Sequence, residues 1–529
     1  MKILNFPKKV YLNIVGYKLT NDIQEFIGIN KKHWGDFHGD SKNGYILMTG
    51  LKNSASNFVA SGRVAKSIEE ETGCLPIVLV DALSFSSGYW KKIYGSYDIS
   101  NFLFYRNYRS NIFLIFKSLF LTVKFYFKQK GINDLLRLEF ENIRIGDLIY
   151  DTILRFNIGL YTIDKVRMAY FGDIYSAFLL VMIYEKIFKK YDIKYICPDL
   201  SVFTRGGIPL RIADKNGATV ILASRRTMKS YEGLDIFEGK HRPRVTEVNA
   251  LRESKNLYKD IDSYFKNRFS GSVNEMDVLK SYKGKIEYDK EYFCKCLNLD
   301  ENKPIVFIMS HAFSDGPHHT PMDKLLFRDF YVWLVETLKC VSDIDNVNWV
   351  VKPHPMSFKY EEEGEVEKLV KLYGKNNIHI VPKDFNTKSI KDIADVLVTV
   401  QGKSGLEFSC FGIPAIITSQ ASYSGFGFTV EPKNVEEYFN LLKNIPAIPK
   451  LNEDQIKSAK VLSAIMFLYS RTNDPLFPPR EDIVYFRYNE KARWKQNCLL
   501  MEKYDRSKDE FYQRVKDLIN LNLYRKYLN

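Results

Sequence analysis

Residues 345–432 decide the fold, and they open with the run Asn348-Trp349-Val350-Val351-Lys352-Pro353-His354-Pro355. The apolar part of this run predicts a buried strand that delivers a Lys, a His and two prolines at its carboxyl end. Two further apolar runs, Ala394 to Val400 and Gly412 to Ile417, predict neighbouring strands. Ligands of open α/β sheets bind where strand carboxyl ends converge, so this edge predicts a binding crevice.

A glycine-rich turn follows the second of these predicted strands. It reads Gln401-Gly402-Lys403-Ser404-Gly405-Leu406-Glu407 and precedes a predicted helix. Backbone N–H groups in such a turn and the helix N-terminus face one crevice, which favours an anion, most simply a phosphate. A glycine-aromatic loop, Tyr423 to Thr429, is predicted on the same edge.

The first half of the chain predicts a similar unit. A helix from Phe58 to Thr72 separates two predicted strands, which gives a βαβ opening. The strands predicted here are Gly44–Gly50, Leu75–Asp81, Phe102–Tyr105, Lys194–Asp199 and Ala218–Ala223. Residues 111–190 predict mostly helix, and Gly206-Gly207 predicts a turn before a helix, with ligand contact as the alternative.

The length of 529 residues predicts at least two domains. We predict an α/β protein in which two Rossmann-like domains face each other across a cleft. The predicted boundaries are residues 1–228 for the first domain with a helical insertion, 229–303 for a polar helical linker, 304–450 for the second domain and 451–529 for terminal helices. These last helices close the second domain or cross back to the first.

The composition narrows the possible binding partners and the cellular compartment of the protein. A formal charge of +14 suggests an anionic partner: nucleic acid, an anionic membrane surface or an acidic substrate. The lysines show no interleaved aromatic platform, so we expect no nucleic acid. Seven scattered cysteines favour a reducing cytoplasm, and Cys294-Lys295-Cys296 lacks the second ligand pair of a zinc site.

The segment Asn111 to Lys130 raises the question of membrane contact. It is apolar but interrupted by Lys117 and Lys124, too often to span a bilayer. A packed helix and a basic helix on the membrane surface remain as alternatives. The start, Met1 to Pro7 followed by two lysines, does not predict a signal peptide. The expected location is the cytoplasm, with the inner face of the cytoplasmic membrane as an open contact.

Two groups of polar residues are candidates for chemistry. Asp147, Asp151 and Arg155 are spaced by four residues and share a helix face, which is either salt-bridged surface or acceptor-binding. The second group follows the predicted strand Pro304–Met309 and consists of His311, Asp315, His318 and His319. Metal ligation is an alternative for this second group, but adjacent histidines rarely both point at one ion, so we predict no metal.

Several of these segments resemble a known family. Lys352-Pro353-His354-Pro355 resembles the His-Pro motif of bacterial capsule polysaccharide synthesis proteins, which include capsule Kdo transferases and, more distantly, bacterial sialyltransferases. Thr399–Phe408 and Tyr423–Thr429 are similar to that family's Gly-Ser-Gly-x-Glu and Tyr-x-Gly-aromatic-Gly-x-Thr segments, and Ile145–Arg155 resembles a stretch of related surface-carbohydrate proteins. The resemblance covers residues 300–432 well and the first half loosely. It implies a GT-B glycosyltransferase that binds a nucleotide-sugar in its second half and uses no metal or other cofactor.

The resemblance also implies roles for individual residues. His354 is expected to contact the phosphate of the nucleotide-sugar, with Lys352 beside it. The turn is expected to bind the same phosphate or a carboxylate through Gly402, Lys403, Ser404 and Gly405. Glu407 is expected to hold ribose hydroxyls, or to complement the helix dipole. The acidic-acidic-Gly acceptor motif of related sialyltransferases has no clear copy here. We therefore predict Asp315 as the base that deprotonates the acceptor, with His311 next.

The expected function is transfer of a sugar from a nucleotide-sugar to a glycan or glycolipid acceptor of a capsule or lipopolysaccharide. The resemblance favours a CMP-linked ulosonic acid such as Kdo as the donor. Three alternatives stay open: a UDP- or GDP-sugar transferase, a CDP-polyol phosphotransferase, and a non-catalytic glycan- or nucleotide-binding assembly protein.

Overall fold

The structure is a computed structural model that describes residues 17–224, 227–231, 245–273, 276–319, 324–469, 474–476 and 489–520. These residues form two α/β units, each built around one sheet of six strands. The two units face each other across a cleft, which is the GT-B arrangement. The predicted α/β class with two Rossmann-like units is therefore confirmed. The segment on which the signal-peptide prediction falls, residues 1–16, lies outside the described residues.

The first unit alternates strands and helices and carries a helical insertion. Its elements are α1 (Asn21–Asn30), β1 (Tyr45–Gly50), α2 (Ala55–Thr72), β2 (Leu75–Val80), α3 (Gly88–Gly95), β3 (Asn101–Phe104), α4 (Tyr105–Arg109), α5 (Ile112–Lys128), α6 (Ile132–Leu136), β4 (Glu139–Phe140), β5 (Ile143–Arg144), α7 (Gly146–Phe156), α8 (Phe171–Lys190), β6 (Ile193–Cys197), α9 (Phe203–Lys215), β7 (Thr219–Ser224) and β8 (Thr227–Tyr231). The strand order is β3-β2-β1-β6-β7-β8. The pairs are parallel except for β7 with β8.

The second unit repeats this plan. Its elements are α10 (Val245–Leu251), α11 (Lys255–Phe269), α12 (Met276–Tyr282), α13 (Lys290–Leu297), β9 (Ile305–Met309), α14 (Phe330–Val341), β10 (Asn348–Lys352), α15 (Glu365–Tyr373), β11 (Ile378–Ile380), α16 (Ile390–Ile393), β12 (Val396–Thr399), α17 (Lys403–Ser409), β13 (Ala415–Ile417), β14 (Thr429–Val430), α18 (Val435–Lys443) and α19 (Glu453–Ala464). The order β11-β10-β9-β12-β13-β14 is parallel throughout. The direction of winding reverses between β9 and β12, which is where such sheets bind ligands.

The central strands of the second sheet are apolar because helices cover both of their faces. All five residues of β9 are buried. Ile305, Phe307 and Met309 pack with α11 and α13 on one face. Val306 and Ile308 pack with α14 on the other face. The alternation fixes which face each side chain meets and leaves the strand ends as the places for polar groups.

Helices of the predicted linker are part of the core of the second unit. Leu257, Ile261, Phe265 and Phe269 recur along one face of α11 and are buried against the second sheet's cluster. Apolar residues at this spacing line one side of a helix. The structure thus gives residues 245–297 a packing role, while residues 232–244 and 274–275 of the predicted linker lie outside the described part of the chain.

The last helices divide between the two units. Helix α19 packs on α11 and α17 of the second unit. The following helices, α20 (Glu490–Met501) and α21 (Glu510–Ile519), pack on α1 and α2 of the first unit. The chain therefore crosses back to the first unit, which is one of the two predicted arrangements. Helices α19, α20 and α21 lie within the predicted terminal helices of residues 451–529, and residues 521–529 lie outside the description.

Three short edge strands and one glycine pair differ from the sequence prediction. β8, β11 and β14 were not predicted, because edge strands of two to five residues leave too short a pattern. The predicted turn at Gly206-Gly207 is wrong, since both residues lie within α9. A Cβ atom on Gly207 would lie 2.5 Å from Cδ2 of Leu148, so the glycine is required by the close approach of α7.

A buried ion cluster joins the C-terminal helix to the first unit and yields a stability prediction. The Arg63 guanidinium binds Asp474 and Asp509, each at 2.8 Å, and the Arg63 side chain is 1% exposed. We expect Arg63→Met to lower the free energy of unfolding by about 3–5 kcal/mol, because two buried carboxylates lose their cation. Urea denaturation followed by tryptophan fluorescence measures this loss.

The matched control is Lys508→Met, which removes an exposed ion pair with Asp505. Exposed pairs contribute about 0–1 kcal/mol, so this variant should unfold close to the wild type. Equal losses in the two variants would contradict the importance of the buried cluster.

Candidate functional site

A cleft of about 700 Å³ lies at the carboxyl edge of the second sheet. The ends of β9, β10 and β12 form its floor, and the first unit contributes Val202 at its rim. This is the position at which the winding of the sheet reverses, where backbone and side-chain groups from several strands converge. The volume falls in the range of about 300–1,000 Å³ that is usual for small-molecule sites.

Lys352 is the last residue of β10, and its side chain is buried in this cleft. The strand holds it in place, because the Ser310 amide N–H donates to its carbonyl over 3.1 Å. Among the described residues, no carboxylate lies within ion-pair distance of its ammonium. Burial, and then the charge of Lys285, lower the pKa of Lys352 to about 8. At neutral pH the group still carries most of its charge and is a ready partner for an anion.

His354 lies two residues further on and lines the same cleft. Its Nδ1 accepts the backbone N–H of Met356 over 3.3 Å. Burial, followed by the positive charge of Lys352, lowers the pKa of His354 to about 4. The ring is therefore neutral at pH 7, and the Met356 bond assigns its proton to Nε2. His354 is thus a hydrogen-bond donor beside a cation.

The two predicted bases differ in their surroundings. Nε2 of His311 accepts the N–H of Gln401 over 3.4 Å and lies 3.2 Å from Oγ1 of Thr399. The His311 ring also stacks on Phe330, so it supports the turn after β12. Asp315 is exposed at the cleft, and its carboxylate hydrogen-bonds to Tyr360. Of the two, Asp315 presents its carboxylate to the cleft.

Three of the four residues predicted to bind the nucleotide-sugar in the glycine-rich turn line the cleft. Gly402, Lys403 and Ser404 line the cleft at the start of α17, and the Gly402 N–H donates to Oγ1 of Thr399. Gly405 does not line it. A Cβ on Gly405 would collide with the hydroxyl of Tyr423, which donates to the Gly402 carbonyl over 2.5 Å. Gly405 makes room for this packing, and its predicted contact with the nucleotide-sugar stays a prediction.

Glu407 is buried in an ion pair that the sequence did not reveal. Its Oε1 lies 2.8 Å from Nη2 of Arg268, a residue of α11. Burial raises the pKa of Glu407, and Arg268 opposes this rise. The carboxylate lines the cleft but has its partner within the protein. The predicted contact with ribose hydroxyls stays a prediction, now in competition with Arg268.

The helices before β9 supply cleft residues that sequence reasoning missed. Arg268, Asp277, Ser281 and Tyr282 all line the cleft and come from α11 and α12. A signal for Arg268 exists in hindsight, because it continues the apolar series Leu257, Ile261, Tyr264 and Phe265 at helical spacing. A cation on an otherwise apolar face indicates a buried partner.

The two carboxylates of α7 are buried in ion pairs, Asp147 within the first unit and Asp151 with the second unit. Both Asp147 oxygens accept from Arg211, at 2.6 and 2.8 Å, and the residue is 1% exposed. Asp151 is equally buried and accepts from Nδ1 of His318 over 2.7 Å. Both carboxylates have partners in the interior of the protein, and their predicted acceptor role stays a prediction. Arg155 lies over the ring of Tyr360, 4.5 Å from its centroid, beside the cleft.

A second bond crosses between the units next to this pair. The Tyr150 hydroxyl donates to Oδ2 of Asp329 over 2.5 Å, and Thr162 donates to the same oxygen over 2.6 Å. Burial works to lower the pKa of His318, but the Asp151 carboxylate outweighs it and raises that pKa. Together these bonds, which we call the α7 clasp (Tyr150, Asp151, His318 and Asp329), hold the second unit to α7.

The described residues contain no group of three or more His, Cys, Asp or Glu side chains arranged to hold a metal ion. His318, one of the four residues considered for a metal, is committed to Asp151. The side chain of His319 lies outside the description. Cys294 is buried and Cys296 is exposed, both as free thiols.

Comparison with known proteins gives a partial likeness in structure. The sequence matches no protein-family model and no curated protein. The KpsC β-Kdo 2,4 transferase of Thermosulfurimonas dismutans is similar over 50% of this chain and 79% of that chain, with 13% identity and a TM-score of 0.32. The KpsC β-Kdo 2,7 transferase of the same organism is similar over 57% of this chain and 87% of that chain, with 12% identity and a TM-score of 0.30. MnaA of S. aureus, in a co-structure with UDP, is similar over 84% of this chain and 96% of that chain, with 12% identity and a TM-score of 0.25. At TM-scores this low the likenesses carry no argument about substrate.

The neutral, buried state of His354 predicts a pH dependence of stability. The pKa of about 4 in the folded protein lies below the ordinary value of 6.5. Between pH 6.5 and 4 the unfolded chain takes up a proton on His354 that the folded protein does not take up. The free energy of unfolding is therefore highest above pH 6.5 and decreases as the pH falls toward 4. We expect the wild type to lose more stability over this window than His354→Asn, which does not titrate. Thermal unfolding at intervals from pH 7 to 4 measures both, and parallel curves would contradict the assignment.

Proposed function

We propose that this protein is a glycosyltransferase of bacterial surface polysaccharide synthesis that takes its sugar from a nucleotide-activated donor. The observation that carries the proposal is Lys352, a residue that is 8% exposed and lines the cleft, with no carboxylate within ion-pair distance of its ammonium among the described residues. A buried charge is costly unless it is paired, so the cleft is built to receive an anion. A donor phosphate is that anion in our proposal.

His354 supplies the second contact to the same phosphate. Its Nε2–H is available because Nδ1 is held by the Met356 N–H. As the bond between the sugar and the phosphate breaks, negative charge grows on the phosphate oxygen. A donor and a cation that are already in place stabilise that charge without having to reorganise. A neutral imidazole also stays a donor over the physiological pH range.

Asp315 is the proposed base. The acceptor hydroxyl attacks the anomeric carbon, its proton passes to the Asp315 carboxylate, and the nucleotide leaves with the electron pair of the broken bond. The carboxylate is exposed at the cleft and is positioned through Tyr360. Burial, followed by the nearby Asp315 charge, raises the pKa of Tyr360, so this hydroxyl stays protonated and donates. A carboxylate has two oxygens that accept hydrogen bonds, so Asp315 can bind Tyr360 and an acceptor hydroxyl at the same time.

The donor and acceptor classes rest on the motif resemblance. A CMP-linked ulosonic acid such as Kdo is favoured by Lys352-Pro353-His354-Pro355 and the Gly402–Glu407 segment, and the acceptor is a glycan or glycolipid of a capsule or lipopolysaccharide. UDP- and GDP-sugars are the alternatives within the transferase class. A CDP-polyol phosphotransferase is disfavoured, because its Ser-Ser-x-x-x-Asp-like segment is replaced here by Gly402-Lys403-Ser404-Gly405-Leu406-Glu407. A non-catalytic binder would hold the nucleotide without turnover.

A nucleotide panel tests the donor site. We expect one of CMP, CDP, UDP or GDP to raise the melting temperature of the protein, because a ligand that binds only the folded state stabilises it. The shift should disappear in Lys352→Met and His354→Asn. It should persist in Lys371→Met, which replaces an exposed lysine of α15. Selective binding of CMP supports a CMP-linked ulosonic acid as the donor. Selective binding of UDP or GDP supports a transferase that uses a UDP- or GDP-sugar instead.

The same experiment has a pH arm. Affinity for the nucleotide should weaken as the pH rises through about 8, because Lys352 loses its charge there. No response to any of the four nucleotides, at any of these pH values, would contradict the proposed function.

A second experiment separates the base from the donor contacts. We expect Asp315→Asn to lower kcat for nucleotide release by about 100-fold or more, the usual contribution of a general base. Its thermal shift with nucleotide should equal that of the wild type, because the substitution leaves the phosphate contacts unchanged. The control is Asp300→Asn, an exposed residue before β9. Turnover at the wild-type rate in Asp315→Asn would pass the base role to another residue.

A further inference from the structure

Helix α5 packs against the protein through a face that mixes polar and apolar residues. Ser118 and Thr122 are fully buried, and Oγ of Ser118 donates to the Tyr175 carbonyl over 2.6 Å. Oγ1 of Thr122 donates within the helix to the Ser118 carbonyl. Phe125 is the buried aromatic residue of the helix. Leu114, Leu121 and Tyr126 are half-buried on the same side and pack on the core of the first unit. Helix α5 thus has an apolar inward face and still leaves large apolar side chains on its outward face.

The outward face of α5 is a row of phenyl rings. Phe113 is 81% exposed, Phe116 62%, Phe120 64% and Phe127 88%. Positions separated by three, four and seven residues lie on one side of a helix, so these rings form a single stripe. Ile112, Leu119 and Val123 widen it. We call this surface the phenylalanine face. Large exposed apolar patches mark sites of interaction with a protein or a membrane.

Cations border the phenylalanine face. Lys117, Lys124 and Lys128 lie along one edge of it, and the helix contains no Asp or Glu. The Lys117 ammonium lies 4.0 Å from a carboxylate oxygen of Glu141 and over the ring of Phe140. Beyond the helix, Lys130 is exposed at its C-terminal end, and its backbone N–H is bound by Asp134. The edge therefore carries a net positive charge.

The neighbouring loop continues this surface. The Tyr126 hydroxyl donates to the carbonyl of Arg167 over 2.7 Å, which fixes the loop to the end of α5. Met168, the next residue, is 67% exposed, and Arg167 is exposed as well. The loop therefore presents an exposed apolar side chain next to a cation, as helix α5 does.

We propose that α5 lies flat on an anionic lipid bilayer, with the phenylalanine face among the headgroups and upper acyl chains. None of the helices that the structure describes is long and apolar enough to cross a membrane. The 17 residues of α5 extend along the surface for about 26 Å. In this orientation the long lysine side chains reach the lipid phosphates while their stems stay on the apolar boundary.

Charge favours a lipid surface over a protein partner. The cores of protein interfaces are depleted in lysine, whereas a basic border beside aromatic side chains is the pattern of helices in a membrane interface. The net charge of +14 adds attraction to an anionic leaflet. The fold does not need the phenylalanine face for packing, since the opposite face of α5 makes the contacts with α8.

Vesicle co-sedimentation of the full chain tests the proposal. We expect the wild type to bind vesicles that contain phosphatidylglycerol, and to bind them more weakly at 500 mM than at 50 mM NaCl. Phe116→Ser with Phe120→Ser should lower the partition coefficient at least about tenfold, because two exposed rings no longer enter the bilayer. Lys124→Glu with Lys128→Glu should lower it by a similar factor on these vesicles and much less on pure phosphatidylcholine.

The controls separate membrane contact from folding and from self-association. Leu372→Ser replaces a side chain that is 69% exposed on α15 of the second unit, and it should bind vesicles like the wild type. The melting temperature of every variant should stay near that of the wild type, since the replaced groups are exposed. Light scattering without lipid should give the same mass for the wild type and the phenylalanine variant.

Three results would overturn the proposal. The first is a wild type that stays in the supernatant with anionic vesicles, and the second is full binding by the phenylalanine variant. The third is a wild-type dimer that the phenylalanine variant converts to a monomer, which would make this face a contact between copies of the chain.

Discussion

A buried lysine, Lys352, with no carboxylate within ion-pair distance among the described residues, is the constraint on which the proposed site depends. Three buried arginines have carboxylate partners: Arg63 with Asp474 and Asp509, Arg211 with Asp147, and Arg268 with Glu407. At Lys352, burial and the charge of Lys285 both lower the pKa of the ammonium. In our proposal, the free energy that the fold gives up at Lys352 is recovered when an anion binds at this strand end.

The strand order creates this position. β10 lies beside β9 and β9 beside β12, so the ends of the three strands bring Lys352, His311 and Gly402 to one cleft. Neighbouring groups then adjust each other. Lys352 helps to keep His354 neutral, and the Met356 N–H decides which ring nitrogen carries the proton. A proton donor beside a cation suits a leaving phosphate, and both are oriented before any ligand arrives.

The α7 clasp connects this cleft to the first unit. Asp151 and Tyr150 come from α7, while His318 and Asp329 belong to the segments that follow β9. Desolvation offsets much of the attraction in buried charged hydrogen bonds of this kind, but removal of one partner is costly because it leaves the other charge buried and unpaired. Helix α7 therefore positions the first unit beside the cleft, and the phenylalanine face of α5 lies on that same unit.

The sequence by itself determined the elements of the fold and the polar ends of its strands. The apolar runs at Tyr45–Gly50, Ile305–Met309 and Asn348–Lys352 predicted strands that the structure contains, because burial of a strand depends on a local pattern. The placement of Lys352 and His354 at a strand end followed from the same pattern. Short edge strands such as β8 and β14 were not predicted from the sequence, because a few residues show too little periodicity.

Only the tertiary structure decided the partner of each charge. Asp147, Asp151 and Glu407 looked available for a ligand in the sequence, yet they face Arg211, His318 and Arg268, which lie 64, 167 and 139 positions away along the chain. Gly405 looked like a phosphate contact but makes room for Tyr423. Periodicity is a property of neighbours in sequence, whereas ion pairing and close packing depend on which distant segments meet, and that is fixed by the packing of whole elements.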